Sequence, residues 1–434
     1  MDISELRTLA ASGNSEAQYH LYMQLRGQSS DEARDWLKKS VDNGFPPALY
    51  ESGAAKLAAD SPNVQGGLKQ IEEAAEAGFA AADYHLACLK VHAYGCDQDL
   101  DSAKIHLMRA ARAGDPNALY AAAMMFARSD QDAAPENAFI LYQSAAAAGY
   151  PLAFEPTARR LAGGIGTAVE PGAAKFWLDL ARRAGFPVTH ASENIAMKTV
   201  NADAARAEEV AALTCQNLGS VPEVDWPKTT GVGKEIVCES PRIVQIGNML
   251  SEDECTHLVN AAQPHLRRSY IVRPDTGEPS AHPMRTSHDG ALPWQYHDIP
   301  YYLINQRYYD TAGMPQSQGE NMSVIHYGQG EEYKLHFDFF EAGSEDERAR
   351  LEEGGQRVIS MFTYLNELPA GGETEFPELG ISITPKRGLA VIFSNCHEDG
   401  SPDQRTLHAS RPVESGEKWL AVKWFRESDT NKPL

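Results

Sequence analysis

Two histidines and one aspartate near the C-terminal end of the sequence have the residue types and spacing of metal ligands. His336 and Asp338 are separated by one residue, and His408 follows later in the chain. Residues two apart on a β-strand project to the same side, so His336 and Asp338 can bind one ion together. Two imidazoles and one carboxylate occupy one face of a metal and leave the opposite positions open, which suits ferrous ion in oxygen chemistry. Lys418, a short interval after His408, would then hold an anionic cosubstrate.

A succession of β-strands is predicted to position these residues. Apolar, β-branched and aromatic runs interrupted by Gly-containing turns are typical of strands. The predicted strands are Ser323–Tyr327, Tyr333–Asp338, Val358–Leu365, Leu389–Phe393 and Lys418–Phe425, with a turn at Gly328–Gly330. Such an all-β succession can place His408 opposite the pair formed by His336 and Asp338.

The segments around these ligands resemble the prolyl 4-hydroxylase family of Fe(II)/2-oxoglutarate dioxygenases. The resemblance covers roughly residues 239 to 428 and its blocks occur in the family's order. They are Pro241–Ile243, Asn248–Cys255, Met284–Ser287, Tyr327–Phe340, Gln356–Arg357, Tyr364–Asn366, Gly371–Pro377, Pro385–Gly388, Leu407–Ser410 and Gly416–Trp419.

The resemblance implies a role for each matching residue. His336, Asp338 and His408 would bind Fe(II), and Lys418 would pair with the distal carboxylate of 2-oxoglutarate. Tyr327, Tyr364 and Ser360 occupy positions that contact the cosubstrate, although the family usually has threonine where this chain has Ser360.

Six further residues match positions that line the substrate groove of related hydroxylases. They are Glu320, Tyr333, Arg357, Trp424, Arg285 and Ser287. Structural roles are alternatives for three of them. Tyr333 and Trp424 lie in apolar strands, where aromatic side chains commonly belong to the core, and Arg357 could pair with a neighbouring acid.

The resemblance also implies a reaction. Fe(II), 2-oxoglutarate and O2 are the expected cofactor and cosubstrates, with succinate and CO2 as products and ascorbate to sustain turnover. An amino-acid side chain would be hydroxylated, with proline in a peptide or protein as the first expectation. Alternatives are a free amino acid or biosynthetic intermediate as substrate, or an interaction scaffold whose oxygenase domain is degenerate or acts as a sensor.

The first half of the chain contains a repeat. Six glycines, each closing an Ala-rich segment, recur at intervals of 31 to 36 residues: Gly13, Gly44, Gly78, Gly114, Gly149 and Gly185. All but the last have alanine four residues later. A period of this length predicts a solenoid of stacked helix pairs, and the segments 75–79, 111–115 and 182–186 resemble Sel1-like repeats, which are related to tetratricopeptide repeats.

We therefore expect an α+β multidomain chain. Residues 1–200 are predicted to form an all-α Sel1/TPR-like solenoid, residues 201–238 a linker, and residues 239–430 a double-stranded β-helix (jelly-roll) dioxygenase domain. Ser251, followed three residues later by Glu254, predicts a capping box and a helix start just inside the second domain. The solenoid could present a polypeptide target or hold a partner.

The charge is strongly negative and unevenly distributed. The net charge is −21. Residues 1–200 hold 18 basic and 24 acidic side chains, and the remaining residues hold 21 basic and 36 acidic side chains, so the second part of the chain carries most of the negative charge. This balance argues against a nucleic-acid partner. The acidic run Glu341–Glu353 follows the proposed metal ligands directly and is either a solvated loop or a feature that attracts a basic substrate.

The cysteines and the N-terminus indicate the compartment. Six cysteines lie without C-x-x-C spacing in a long chain, which predicts reduced thiols. Met1–Leu6 has neither the basic nor the apolar region of a signal peptide, and the sequence contains no membrane span. A cytoplasmic protein without membrane contact is expected.

Overall fold

A helical domain precedes a β-rich domain in the computed structural model. It describes residues 2–28, 31–59, 61–186, 222–227, 233–269, 271–272, 279–280, 284–292, 298–341, 343 and 345–430. Most of the predicted linker 201–238 lies outside these residues, and the first strand of the second domain begins at Lys234. The proposed domain limits therefore stay a prediction.

The N-terminal domain consists of antiparallel helix pairs. Its helices are α1 Ile3–Ala11, α2 Ser15–Leu25, α3 Asp31–Asp42, α4 Pro46–Leu57, α5 Val64–Glu76, α6 Ala80–Val91, α7 Leu100–Arg112, α8 Pro116–Ala127, α9 Ala134–Ala147, α10 Phe154–Gly163 and α11 Pro171–Arg183. All six periodic glycines adopt positive φ, between 70° and 96°, and each lies two residues after the last residue of a helix. Glycine reaches this conformation without steric cost and ends the helix there. The predicted solenoid is confirmed.

The alanines that follow the glycines account for the close packing of the helices. Ala48, Ala82, Ala118 and Ala153 are completely buried, and Ala17 is 3% exposed. Because a methyl group is the whole side chain, neighbouring helices can approach one another closely at these positions. The residues that recur with the repeat period therefore determine both where a helix ends, at the glycine, and where neighbouring helices touch, at the alanine.

The second domain contains sixteen described strands and three described α-helices. The strands are β1 Lys234–Glu239, β2 Arg242–Ile246, β3 Arg267–Arg268, β4 Ile271–Val272, β5 Pro279–Ser280, β6 His288–Ala291, β7 Ser323–Tyr327, β8 Tyr333–His336, β9 Arg357–Tyr364, β10 Ala370–Gly371, β11 Thr374–Phe376, β12 Ile381–Ile383, β13 Ala390–Ser394, β14 His408–Ser410, β15 Val413–Ser415 and β16 Lys418–Arg426. The helices are α12 Glu252–Ala262, α13 Ile299–Ala312 and α14 Glu345–Gly354. The Ser251/Glu254 capping box is present at the start of α12, as predicted.

Two antiparallel sheets face each other. The major sheet has the order β1-β2-β13-β9-β16-β7-β6-β3, and the minor sheet has the order β12-β11-β14-β8. Alternate residues of the major strands project inward toward the minor sheet, where Phe362, Leu420 and Val422 meet Phe376 and Ile383. This is the predicted jelly-roll arrangement, and the candidate ligands His336 and His408 lie on the minor sheet.

The other face of the major sheet is covered by α12 and α13. Val324, Met361 and Ala421 of the sheet share one core with Leu258 and Tyr308 of the two helices. The same helices touch the solenoid on their far side. Ile299 and Tyr302 of α13 belong to the core formed by the repeat helices.

Buried charges reinforce the contact between the domains. Arg160 of α10 lies 2.6 Å from Asp253 of α12, and Arg159 also pairs with Asp253. Asp253 is 4% exposed. Burial would raise the pKa of Asp253, but the charges of Arg159 and Arg160 hold it well below its usual value. A paired carboxylate therefore remains ionised at the interface.

The cysteine prediction agrees with the described residues. Cys88, Cys96, Cys238, Cys255 and Cys396 are free thiols, and Cys215 lies outside the described residues. No helix in the described part of the chain is long and apolar enough to cross a bilayer.

Replacing Asp253 with Asn should lower the free energy of unfolding by about 3 kcal/mol, because two buried guanidinium groups lose their shared carboxylate. Urea unfolding followed by circular dichroism measures this change. Asp179→Asn is the matched control, since Asp179 also contacts two cations, Lys175 and Arg182, but is partly exposed. Its effect should stay below about 1 kcal/mol. Equal effects of the two substitutions would contradict a stabilising interface.

Candidate metal and cosubstrate site

The register between β8 and β14 brings the two histidines together. His408 is the direct cross-strand partner of His336, and their ring centroids are 4.2 Å apart. Asp338 lies 3.8 Å from each histidine, measured from Oδ1 to His336 Nε2 and from Oδ2 to His408 Nε2. The three side chains form a cluster whose donor atoms all lie within 4.8 Å of one another.

The local geometry differs from the sequence-based prediction in one respect. Strand β8 ends at His336, whereas the predicted strand continued to Asp338. Asp338 lies in the bend that follows, so its carboxylate reaches the histidines from a turn. The two side chains converge all the same, because the chain curves back toward β14.

Backbone carbonyls fix the orientation of both imidazoles. His336 Nδ1 lies 2.8 Å from the carbonyl oxygen of Lys334, and His408 Nδ1 lies 2.9 Å from that of Thr406. A carbonyl can only accept, so each Nδ1 carries the proton and donates it. Each Nε2 therefore presents a lone pair toward Asp338, as a metal-binding histidine requires.

Burial and mutual interaction set the charge of the cluster. Burial, and then the nearby His408, lower the pKa of His336. Burial acts to raise the pKa of Asp338, but His408 and His336 bring it below its usual value. Neutral imidazoles beside an ionised carboxylate are the protonation states that bind a divalent cation. The donor set therefore fits a ferrous ion.

Lys418 is the most unusual charge near this cluster. It is fully buried at the start of β16, and its Nζ donates to Ser410 Oγ at 2.7 Å. Among the described residues it forms no ion pair. Burial lowers the pKa of Lys418 to about 7, opposed only by the charge of Glu373. Such a cation is poised to accept an anionic group that enters the site.

The two predicted cosubstrate tyrosines flank Lys418. Its Nζ lies 5.4 Å from the ring centroids of both Tyr327 and Tyr364. The Tyr364 hydroxyl is already 2.8 Å from Thr374 Oγ1 and 3.1 Å from the carbonyl oxygen of Ile383. Burial raises the pKa of Tyr327 to about 12, so its phenol stays protonated and can donate. Cosubstrate contacts of both tyrosines stay predictions.

Ser360 lies against a proposed metal ligand. Its hydroxyl accepts from Asn395 Nδ2 at 2.9 Å, and it hydrogen-bonds the carboxylate of Asp338. The predicted contact of Ser360 with the cosubstrate stays untested. Its described contacts orient Asp338. This requires only the hydroxyl group, so serine can replace the threonine that the family usually has at this position.

Three of the predicted substrate-side residues form one cluster next to Asp338. Both guanidinium arms of Arg357 contact Glu320 at 2.7 Å, so Arg357 does pair with an acid. Its guanidinium also lies 4.1 Å from the ring of Trp424, and Nη1 is 3.5 Å from the carbonyl oxygen of Asp338. Trp424 Nε1 is buried and has no hydrogen-bond partner among the residues that the structure describes.

The remaining three lie next to His336. Tyr333 stacks on His336 with ring centroids 3.5 Å apart, and Arg285 lies 5.2 Å from the Tyr333 ring. Arg285 Nε donates to Ser287 Oγ at 3.1 Å. Tyr333 therefore contacts a proposed ligand directly. All six substrate-side residues lie close to the cluster, and their roles stay predictions.

Sequence reasoning missed several supporting residues. Ser410 is the hydrogen-bond partner of Lys418, and Asn395 holds Ser360. Phe376 and Phe393 pack on the His408 ring at 5.4 and 5.2 Å. Ser410 could have been found, because it is two residues from His408 on one strand. Asn395 and the phenylalanines become neighbours only through the pairing of distant strands.

Ser360→Ala should weaken binding of Fe(II) or Co(II) by about tenfold, because Asp338 loses a group that orients it. Anaerobic metal titration monitored by absorbance measures the affinity. Ser382→Ala, at an exposed position of β12, is the control and should leave the affinity unchanged. Equal metal affinity of the Ser360 variant and the unmodified protein would refute the orienting role.

Comparison with known proteins agrees with this geometry. Residues 322–426 match the model of the 2OG-Fe(II) oxygenase superfamily. Prolyl 4-hydroxylase 5 of Arabidopsis thaliana is 33% identical over 210 residues, which cover 44% of this chain and 70% of the relative.

Two solved structures are also similar. The viral collagen prolyl hydroxylase of Paramecium Bursaria Chlorella virus-1 is 26% identical, with 44% of this chain and 98% of that chain covered and a TM-score of 0.34. A Sel1 repeat protein from Oxalobacter formigenes is 21% identical, with 41% and 75% covered and a TM-score of 0.35. On the strength of the Arabidopsis relative and the family match, this chain belongs to the prolyl 4-hydroxylase family of 2OG-Fe(II) oxygenases.

Proposed function

We propose that this 2-oxoglutarate-dependent dioxygenase hydroxylates proline in a peptide or protein. The observation that carries the proposal is the convergence of two imidazole Nε2 atoms and the Asp338 carboxylate next to a buried lysine that forms no ion pair among the described residues. Iron, 2-oxoglutarate and O2 together supply the oxidation of an unactivated C–H bond, with release of succinate and CO2.

The chain's own residues hold and orient these groups. His336, Asp338 and His408 would bind iron, leaving open positions for the cosubstrates. Lys418 would bind the distal carboxylate of 2-oxoglutarate, with a phenol such as that of Tyr327 as a further donor. Both groups lie on the inner face of the major sheet, where Phe362 and Leu420 exclude water and strengthen the charge interaction.

The substrate side combines aromatic and charged groups. Tyr333 next to His336, and Trp424 with the Arg357–Glu320 pair next to Asp338, could bind a polypeptide backbone and a proline ring. Helix α14 connects the turn after Asp338 with β9, which begins at Arg357, and it carries exposed acidic side chains. A basic residue near the target proline would be attracted to this helix.

The solenoid could hold part of a longer target. A cavity of about 530 Å³ lies between the repeat helices and α12, lined by Tyr50, Tyr84 and Tyr150 of the solenoid and by Asn260 of the second domain. Aromatic-lined grooves bind extended proline-containing segments. This cavity supports a peptide substrate over a free amino acid or a biosynthetic intermediate, which would need no contact beyond the oxygenase domain.

Purified protein supplied with Fe(II), 2-oxoglutarate and ascorbate should release succinate and add one oxygen atom to a proline-containing peptide. Mass spectrometry of peptides of increasing length, with and without a neighbouring lysine, measures the reaction. Longer and lysine-bearing peptides should have the lower KM. Free proline as the better substrate would favour the amino-acid alternative.

His336→Ala and Asp338→Ala should abolish this turnover, because each removes a proposed iron ligand. His397→Ala, which removes an exposed histidine outside the cluster, is the control and should retain full activity. If the protein is instead an interaction scaffold with a sensing or degenerate oxygenase domain, none of these proteins should release succinate above background.

The affinity for 2-oxoglutarate should fall as the pH rises above about 7. Lys418 is protonated below its folded pKa of about 7 and is increasingly neutral above it, and only the cation attracts a carboxylate. The Kd should therefore increase by up to about tenfold per pH unit on the alkaline side. Isothermal titration between pH 6 and pH 9 measures this. Lys418→Met should bind weakly at every pH, and a pH-independent Kd for the unmodified protein would refute the role of Lys418.

A further inference from the structure

A second cluster of metal-binding side chains lies on the outer face of the major sheet. His288, His326 and Glu331 each offer one ligand atom, and these atoms all lie within 4.8 Å of one another. His326 precedes Tyr327 on β7, so its side chain projects to the face opposite the proposed cosubstrate site. The cluster is therefore distinct from the one formed by His336, Asp338 and His408.

The backbone places these three residues together. His288 on β6 is the direct cross-strand partner of His326 on β7. Glu331 comes from the turn that follows β7, and its carboxylate accepts from the Gly328 amide at 2.7 Å. Two histidines in register on adjacent strands and a carboxylate held by a tight turn form a rigid framework for a cation.

The side chains also have unused binding capacity. His288 Nδ1 is buried and has no hydrogen-bond partner in the part of the chain that the structure describes, and it lies 3.6 Å from Glu331 Oε2. His326 Nε2 lies 3.2 Å from Glu417 Oε2, and the His326 ring packs on Trp419 at 4.4 Å. A nitrogen that is shielded from water and makes no hydrogen bond carries a free-energy cost that a bound cation would remove.

We propose that His288, His326 and Glu331 bind a second divalent transition metal, with zinc as the best fit. Two imidazoles and a carboxylate suit zinc, which tolerates irregular geometry and accepts water as a fourth ligand. Ligand bonds of about 2.0–2.2 Å require the donors to move closer together, within the reach of side-chain rotation.

The bound ion would join three segments near the proposed active site. Strand β6 follows Arg285 and Ser287, β7 carries Tyr327, and the Glu331 turn leads into β8 with His336. The Thr286 amide already donates to the carbonyl oxygen of Glu332 at 3.2 Å, so the same segments are in contact without metal. Zinc at this site would stabilise the contacts among these three segments and would take no part in the hydroxylation. The inference therefore does not depend on the proposed substrate.

Equilibrium dialysis against Zn(II), followed by elemental mass spectrometry, tests the proposal on the full chain. The unmodified protein should bind about two zinc ions, one at each cluster. His288→Asn and Glu331→Gln should each bind about one, His336→Ala should also bind about one, and His288→Asn combined with His336→Ala should bind none. This additive pattern distinguishes the two clusters independently of any activity.

His20→Asn is the matched control. His20 lies 3.6 Å from Glu16, the same separation as His288 and Glu331, but the pair is exposed and no third donor joins it within the described ranges. Its zinc content should equal that of the unmodified protein. Circular dichroism confirms that each variant is folded, and Glu331→Gln provides a second test if His288→Asn is not. The proposal is overturned if the folded His288 or Glu331 variant binds as much zinc as the unmodified protein.

Discussion

The register between β8 and β14 is the constraint on which the rest of the site depends. It makes His336 and His408 direct partners, and a slip by one residue would turn one imidazole to the other side of the sheet. The short strands of the minor sheet offer few hydrogen bonds to hold this register. Phe376 and Phe393, which pack on His408, and Tyr333, which stacks on His336, supply further contacts that favour it.

The charges inside the β-sandwich are divided between paired and unsatisfied groups. Glu320 pairs with both Arg357 and Arg426 beside Asp338. Lys418, in contrast, has only a hydroxyl partner among the described residues. A fold retains an uncompensated buried cation at a cost to its stability. Lys418 lies near three convergent candidate metal ligands, and this is the physical basis for proposing that it binds an anionic cosubstrate.

Local patterns predicted much of the fold. The strand Ser323–Tyr327 and the capping box at Ser251 agree residue for residue with the structure, because both depend on neighbours in the sequence. The periodic glycines and alanines predicted the helix pairs for the same reason. The ends of β8 and the contact between Ser360 and Asp338 could not be predicted, since they depend on strands that are distant in the sequence. The docking of the solenoid on α12 and α13 likewise gives no local signal.

Helix α12 contacts both domains, and these contacts bear on the stability of each domain alone. Glu254 closes the capping box of α12 and also pairs with Arg307 of α13, while Asp253, one residue earlier, faces two arginines of the repeats. One helical turn thus joins the sheet, its covering helices and the solenoid. An isolated oxygenase fragment of this chain would expose a carboxylate and the aromatic surface of Tyr302 to water, so its second domain is expected to be less stable without the solenoid.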